Sequence, residues 1–87
     1  MNSAVTVQTG TVVKSTAGHD AGRFFAVVAD DGKYVCLCDG DERKLASPKR
    51  KNKRHVAFTV QVLPDTAMKT DSQLRKALKE FAAKGGA

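Results

Sequence analysis

Apolar residues along this chain gather in four short runs, and the rhythm changes near the C-terminus. GTVVKS (10–15), RFFAVVAD (23–30), KYVCLCDG (33–40) and HVAFTVQV (55–62) are rich in valine and aromatics. Runs of this length and composition read as strands, with only a weak polar alternation in the third. Asp30-Asp31-Gly32 between the second and third is a hairpin signal, because Asp-Gly supplies the positive φ a tight turn needs. DGDERKL (39–45) reads as a turn leading into a further short strand around Arg43–Leu45. Five short strands joined by tight turns predict a small barrel, since closure removes the exposed edges of an open sheet.

The C-terminal segment changes from strand to helical period. In TDSQLRKALKEFAAKGG, Leu74, Leu78 and Phe81 recur at i, i+4 and i+7, with Ala77 and Ala82 beside them. Thr70 or Asp71 suits the start, and Lys84 followed by Gly85 suits the end. The apolar stripe is expected to lie on the barrel, with Arg75, Lys76 and Lys79 facing solvent or a partner. The pattern divides the chain into a barrel over 1–63, including a basic loop at 43–55, and a linker with the helix over 64–87.

Composition narrows the function. Eighty-seven residues make one domain with a compact core, in which a deep cofactor pocket would consume much of the interior. No cofactor and no small-molecule substrate is expected, and the chain is expected to be a monomer. The net charge of +6 points to a polyanionic partner, nucleic acid or an anionic membrane surface. MNSAVTVQTG lacks the basic start and apolar stretch of a signal peptide, and no segment is apolar enough to span a bilayer, so a cytoplasmic location is expected. Between Arg43 and Arg54 the basic residues crowd together with no acid among them, while Asp30, Asp31, Asp39, Asp41 and Glu42 precede them. Pro48 and Asn52 make this tract a poor helix, so it reads as an extended loop that orders on binding. Cys36 and Cys38, a lone C-x-C, are too few for a disulfide framework or a zinc site and read as small apolar side chains. A metal or redox role for them remains the alternative.

STAGHDAGRFFAVV (15–28) brackets His19-Asp20 with two glycines. Gly18 and Gly22 fit neither G-x-G-x-x-G nor the P-loop, and a strand rather than a helix follows them, which excludes a phosphate cradle. His19 and Asp20 are sequence neighbours whose side chains diverge, and no Ser or Cys stands in a nucleophile context, so no catalysis is expected. A strand connection remains, its glycines permitting conformations that a Cβ would block.

That strand-loop-strand, TVVKSTAG then HDAGR then FFAVV, resembles the KOW motif, with Gly18 at its characteristic glycine and Gly22-Arg23 following it. The resemblance continues through VCLCDGDERKLASPKRKNKRH and covers Gly10 to His55. It is nearest the eukaryotic and archaeal large-subunit ribosomal protein family numbered fourteen and its small bacterial relatives. Cys-Leu-Cys departs from the commoner valines and alanines, and the C-terminus is too short for the eukaryotic form. The resemblance implies an SH3-like barrel and a non-catalytic, ribosome-associated RNA-binding protein. Its candidate RNA contacts are Lys14, His19 and Arg23 on the strand-loop-strand and Arg43, Lys44, Lys49, Arg50, Lys51, Lys53 and Arg54 in the tract. Phosphate neutralisation suits those residues better than base stacking, since Tyr34 and four phenylalanines are the only aromatics. The alternative is a protein-interaction barrel whose tract meets an acidic partner, which exposed apolar residues on a strand edge would favour.

Overall fold

The computed structural model describes residues 7–85. Five strands form one antiparallel sheet: β1 (Thr11–Ser15), β2 (Phe24–Asp30), β3 (Tyr34–Cys38), β4 (Lys49–Asn52) and β5 (Val56–Val62). Their order is β4-β3-β2-β1-β5, so the first four make a meander and β5 returns to the far side of β1. One helix, α1 (Asp71–Ala83), follows. The protein is mainly β, a small SH3-like barrel-type fold with a single C-terminal helix, as the pattern of apolar runs predicts.

Burial explains why those runs alternate so weakly. Val13, Phe25, Val27, Val35, Leu37 and Val56 pack together on one face of the sheet, the barrel interior. Their neighbours Val12, Ala26 and Cys38 pack on the other face with Leu63, Ala67, Leu74 and Leu78. A strand covered on both faces has no solvent side to mark with polar residues. Phe24 closes the helix side edge-to-face on Phe81, with ring centroids 5.2 Å apart.

Thr70 caps α1, its hydroxyl accepting from the Gln73 amide at 3.1 Å. Leu74 and Leu78 are buried and Phe81 and Ala77 partly so, but Ala82 is exposed. The Asp30–Gly32 turn forms as expected, with Gly32 at φ +101° and the Asp31 amide donating to the Tyr34 carbonyl.

The fourth strand is displaced from its expected position. Residues 43–45 form no strand, and β4 lies inside the basic tract, paired with β3 through Val35↔Lys51 and Leu37↔Lys49. The expectation of a loop over 43–55 that orders on binding is therefore corrected: Lys49–Asn52 is sheet, and Lys53–His55 is a 3-10 turn into β5. Pro48 and Asn52 bracket this strand instead of breaking it. Proline is tolerated at a strand's threshold, and the Asn52 side chain caps the following turn by accepting from the Arg54 amide at 2.8 Å.

Candidate nucleic-acid interface

Cross-strand register decides what each cation of the tract can do. Lys49 and Lys51 lie opposite Leu37 and Val35, both of which belong to the barrel interior. Both lysines therefore lay their aliphatic stems along the interior and carry their ammonium groups to its rim. The receiver is Asp20, from the glycine-bracketed loop. Lys49 Nζ donates to its Oδ2 at 2.7 Å, Lys51 Nζ to its Oδ1 at 2.8 Å, and the Ser15 hydroxyl to Oδ1 at 2.7 Å. Lys51 is only 8% exposed and also donates to the Ala17 carbonyl at 2.8 Å. Burial pushes the Asp20 carboxyl up, but the hydrogen bonds from Lys49, Lys51 and Ser15 outweigh it and hold the group well below the usual carboxylate range.

The outward residues of the tract are paired more loosely. Arg50 Nε donates to Asp31 Oδ2 at 2.8 Å, and its guanidinium lies over the Tyr34 ring, 4.0 Å from the centroid. Lys53 Nζ meets Asp30 at 2.9 Å. Amide donors Val7 and Gly32, together with Lys53, bring the Asp30 carboxyl down to about 2. Hydrogen bonding from Arg50 lowers Asp31 as well.

Arg23 faces an acidic loop rather than open solvent. Its guanidinium lies 3.0 Å from Asp39, 3.2 Å from Glu42 and 3.7 Å from Asp41. Five of the ten candidate contacts, Arg23, Lys49, Arg50, Lys51 and Lys53, thus have carboxylate partners within the protein. Lys14, His19, Arg43, Lys44 and Arg54 are exposed and take no ion pair among the described residues. Lys14 sits apart on β1, its ammonium 5.7 Å from the Phe24 centroid. His19, Arg43 and Lys49 converge with Asp20, Phe25 and Glu42 on a pocket of about 120 Å³, well below the size that holds a drug-sized ligand.

Sequence reasoning missed Asp20, which reads as half of an idle His-Asp pair until the strand that meets it is known. The available signal was Lys49-x-Lys51, two cations at strand spacing whose side chains share a face.

Cys36 and Cys38 differ in environment. Cys38 is buried beneath the helix and its thiol donates to the Lys44 carbonyl at 3.3 Å, whereas Cys36 is half-buried. Burial, with the charges of Asp71 and Asp39 and the neighbouring Cys36, pushes the Cys38 thiol up to about 11. Alkylation at pH 8 is therefore expected to modify Cys36 first and leave Cys38 as thiol, which peptide mapping after a timed iodoacetamide pulse would check. Equal labelling of the two would contradict this arrangement.

No helix among the described residues is long and apolar enough to cross a membrane. A search of protein-family models and a search of curated proteins returned no match for this chain.

Proposed function

We propose that this protein is a non-catalytic RNA-binding module of the KOW type, acting on folded RNA, with ribosomal RNA as its foremost target. The observation that carries the reading is the charge surplus of the tract. Seven cations between Arg43 and Arg54 face three carboxylates, Asp20, Asp30 and Asp31, and Arg43, Lys44 and Arg54 are exposed without an ion pair among the described residues. Arg54 stands on the 3-10 turn after β4, and Arg43 and Lys44 on the loop that precedes it, so the unpaired cations flank the strand on both sides. Arg50 is exposed over Tyr34 and can exchange Asp31 for a phosphate while its plane offers a surface to an unstacked base.

Buried Lys51 takes a different part. It fixes the rim on which the others stand and makes no phosphate contact of its own.

The triple variant R43A/K44A/R54A tests the reading. It removes only exposed side chains, so the fold is retained. Affinity for a structured ribosomal RNA fragment should fall about tenfold to a hundredfold, with a shallower dependence on salt by about one unit of log–log slope per lost contact. In lysate gradients the wild-type chain should travel with ribosomal particles at low salt and leave them at high salt. An unchanged affinity in the triple variant would remove the tract from the interface and with it this function.

The protein-interaction reading has one specific observation in its favour, an apolar strip on β5, and binding through that strip would survive high salt.

A further inference from the structure

The two edges of the sheet are unlike. β4 forms one edge and carries Lys49, Arg50 and Lys51, the charged guard that keeps an edge from pairing with other chains. β5 forms the other edge, and from Val56 to Pro64 it has no charged residue. Phe58 is 46% exposed, Val60 96% and Val62 36%, three apolar side chains at alternate positions of one strand. The stretch itself carries no charge, so the net charge of +6 is not concentrated on it.

What covers the strip is indicated by the charges at its ends. β5 is entered from Lys53, Arg54 and His55 and left through Pro64 to Asp65, with Arg54 and Asp65 both exposed. A strand that begins basic and ends acidic is complementary to itself when reversed. We infer that the protein associates with a second copy of itself through β5, the two strands running antiparallel about a two-fold axis at Val60. In that register Val60 meets its own symmetry mate and Phe58 meets Val62, an aromatic–β-branched pair of the kind that stabilises neighbouring strands. The basic entry of each strand then lies alongside the acidic exit of the other. The register shift of β5 against β1 between Val13 and Thr11 bends the strand there, so side chains rather than a continuous hydrogen-bond ladder carry the contact. Lys49, Arg50 and Lys51 lie on the opposite edge of each sheet, away from the contact, whereas Lys53 and Arg54 border it. This inference rests on β5 rather than on the RNA reading, shares only Arg54 with it, and differs from the expectation of a monomer.

Sedimentation equilibrium of the full chain, from about 10 to 500 µM and again at about 500 mM salt, provides the test. The wild type should shift from monomer toward dimer within this range at both salt concentrations. V60K places two ammonium groups face to face on the axis and should weaken association at least about tenfold. Because Val60 is almost wholly exposed, the circular dichroism and melting of V60K should match the wild type. Arg54→Asp and Asp65→Arg should each weaken the dimer at low salt, and the two together should restore it. A wild-type chain that stays monomeric throughout overturns the inference and leaves the strip to a partner of another sequence. A V60K chain that dimerises as the wild type does overturns it equally, and a double swap without recovery overturns the antiparallel arrangement.

Discussion

Replacing Asp20 with alanine should cost about 3–5 kcal/mol of stability, the range for breaking a buried ion pair from one side. The Asp20 side chain is 10% exposed and receives Lys49, Lys51 and Ser15. Without it the Lys51 ammonium keeps only the Ala17 carbonyl as partner and must either stay buried as a bare charge or tear β4 from the rim. A loss of this size is a large share of the about 5–15 kcal/mol that holds a small domain together, so the urea midpoint of D20A at pH 7 should fall far below that of the wild type. K51M should behave differently. It keeps the apolar stem over the barrel interior and leaves Asp20 with Lys49 and Ser15, so its cost should be about 1–3 kcal/mol, that of one lost donor. The double variant should lose less than the sum of the two, because the residue stranded by each substitution is removed by the other. If D20A and K51M cost the same, the cluster is a surface ion pair and not a buried one.

The same group sets the acid response. Its carboxyl in the folded protein is held below the ordinary value of 3.8, so folding favours the ionised form. The stabilisation is complete above about pH 4 and is lost progressively as pH falls toward the depressed folded value. Asp30, lowered to about 2, acts in the same sense. Urea midpoints measured from pH 7 down to pH 2.5 should fall steeply below pH 4 in the wild type. In D20A the slope should be shallower, so the gap between the two should close with acidification. A gap that widens would reverse the sign assigned to Asp20.

What the sequence disclosed and what it hid follow from the same physics. The valine-rich runs and the Leu74–Leu78–Phe81 stripe bury apolar side chains, so burial and pattern coincide and the barrel, the Asp30–Gly32 turn and α1 are legible. β4 has no apolar residue at all. It occupies the barrel through the stems of Lys49 and Lys51, and a hydrophobicity pattern sees only their charges. Pro48 and Asn52 mark the ends of an element, yet in a stretch without apolar signal they read as its absence. The candidate site inherits this blindness. The surplus of positive charge is countable from the sequence, but which cations are committed to Asp20, Asp30 and Asp31 depends on a register between segments some 20 to 30 residues apart. Arg23 is the plainest case, since its acidic partners at 39, 41 and 42 lie beyond a whole hairpin.

Glycine to alanine at Gly40 should be the second severe lesion, and it acts through the helix. Gly40 follows β3 at φ +76°, a left-handed conformation that costs a residue with a side chain about 1–2 kcal/mol. Space is shorter still: a Cβ would collide with the Asp71 carbonyl oxygen and stand 3.0 Å from the Arg75 amide nitrogen. Both neighbours are backbone of α1 and cannot rotate away. The loop and the helix are also tied by hydrogen bonds, Arg75 to the Gly40 carbonyl at 2.9 Å and the Leu45 amide to Asp71 at 2.7 Å. An alanine must therefore push α1 off the sheet, loosening Leu74 and Leu78 from Val12, Ala26 and Cys38. Overpacking costs about 1–3 kcal/mol beyond the backbone strain, and together they should lower stability by about 2–5 kcal/mol. Gly32→Ala is the matched control, since Gly32 also has positive φ but nothing lies within 4 Å of its would-be Cβ. It should lose only the strain, about 1 kcal/mol, and keep α1 protected in hydrogen exchange. G40A should instead lose protection across Leu74–Phe81 before the strands open. Equal losses in the two variants would mean that backbone conformation, and not the seat of the helix on the 39–45 loop, is what Gly40 supplies.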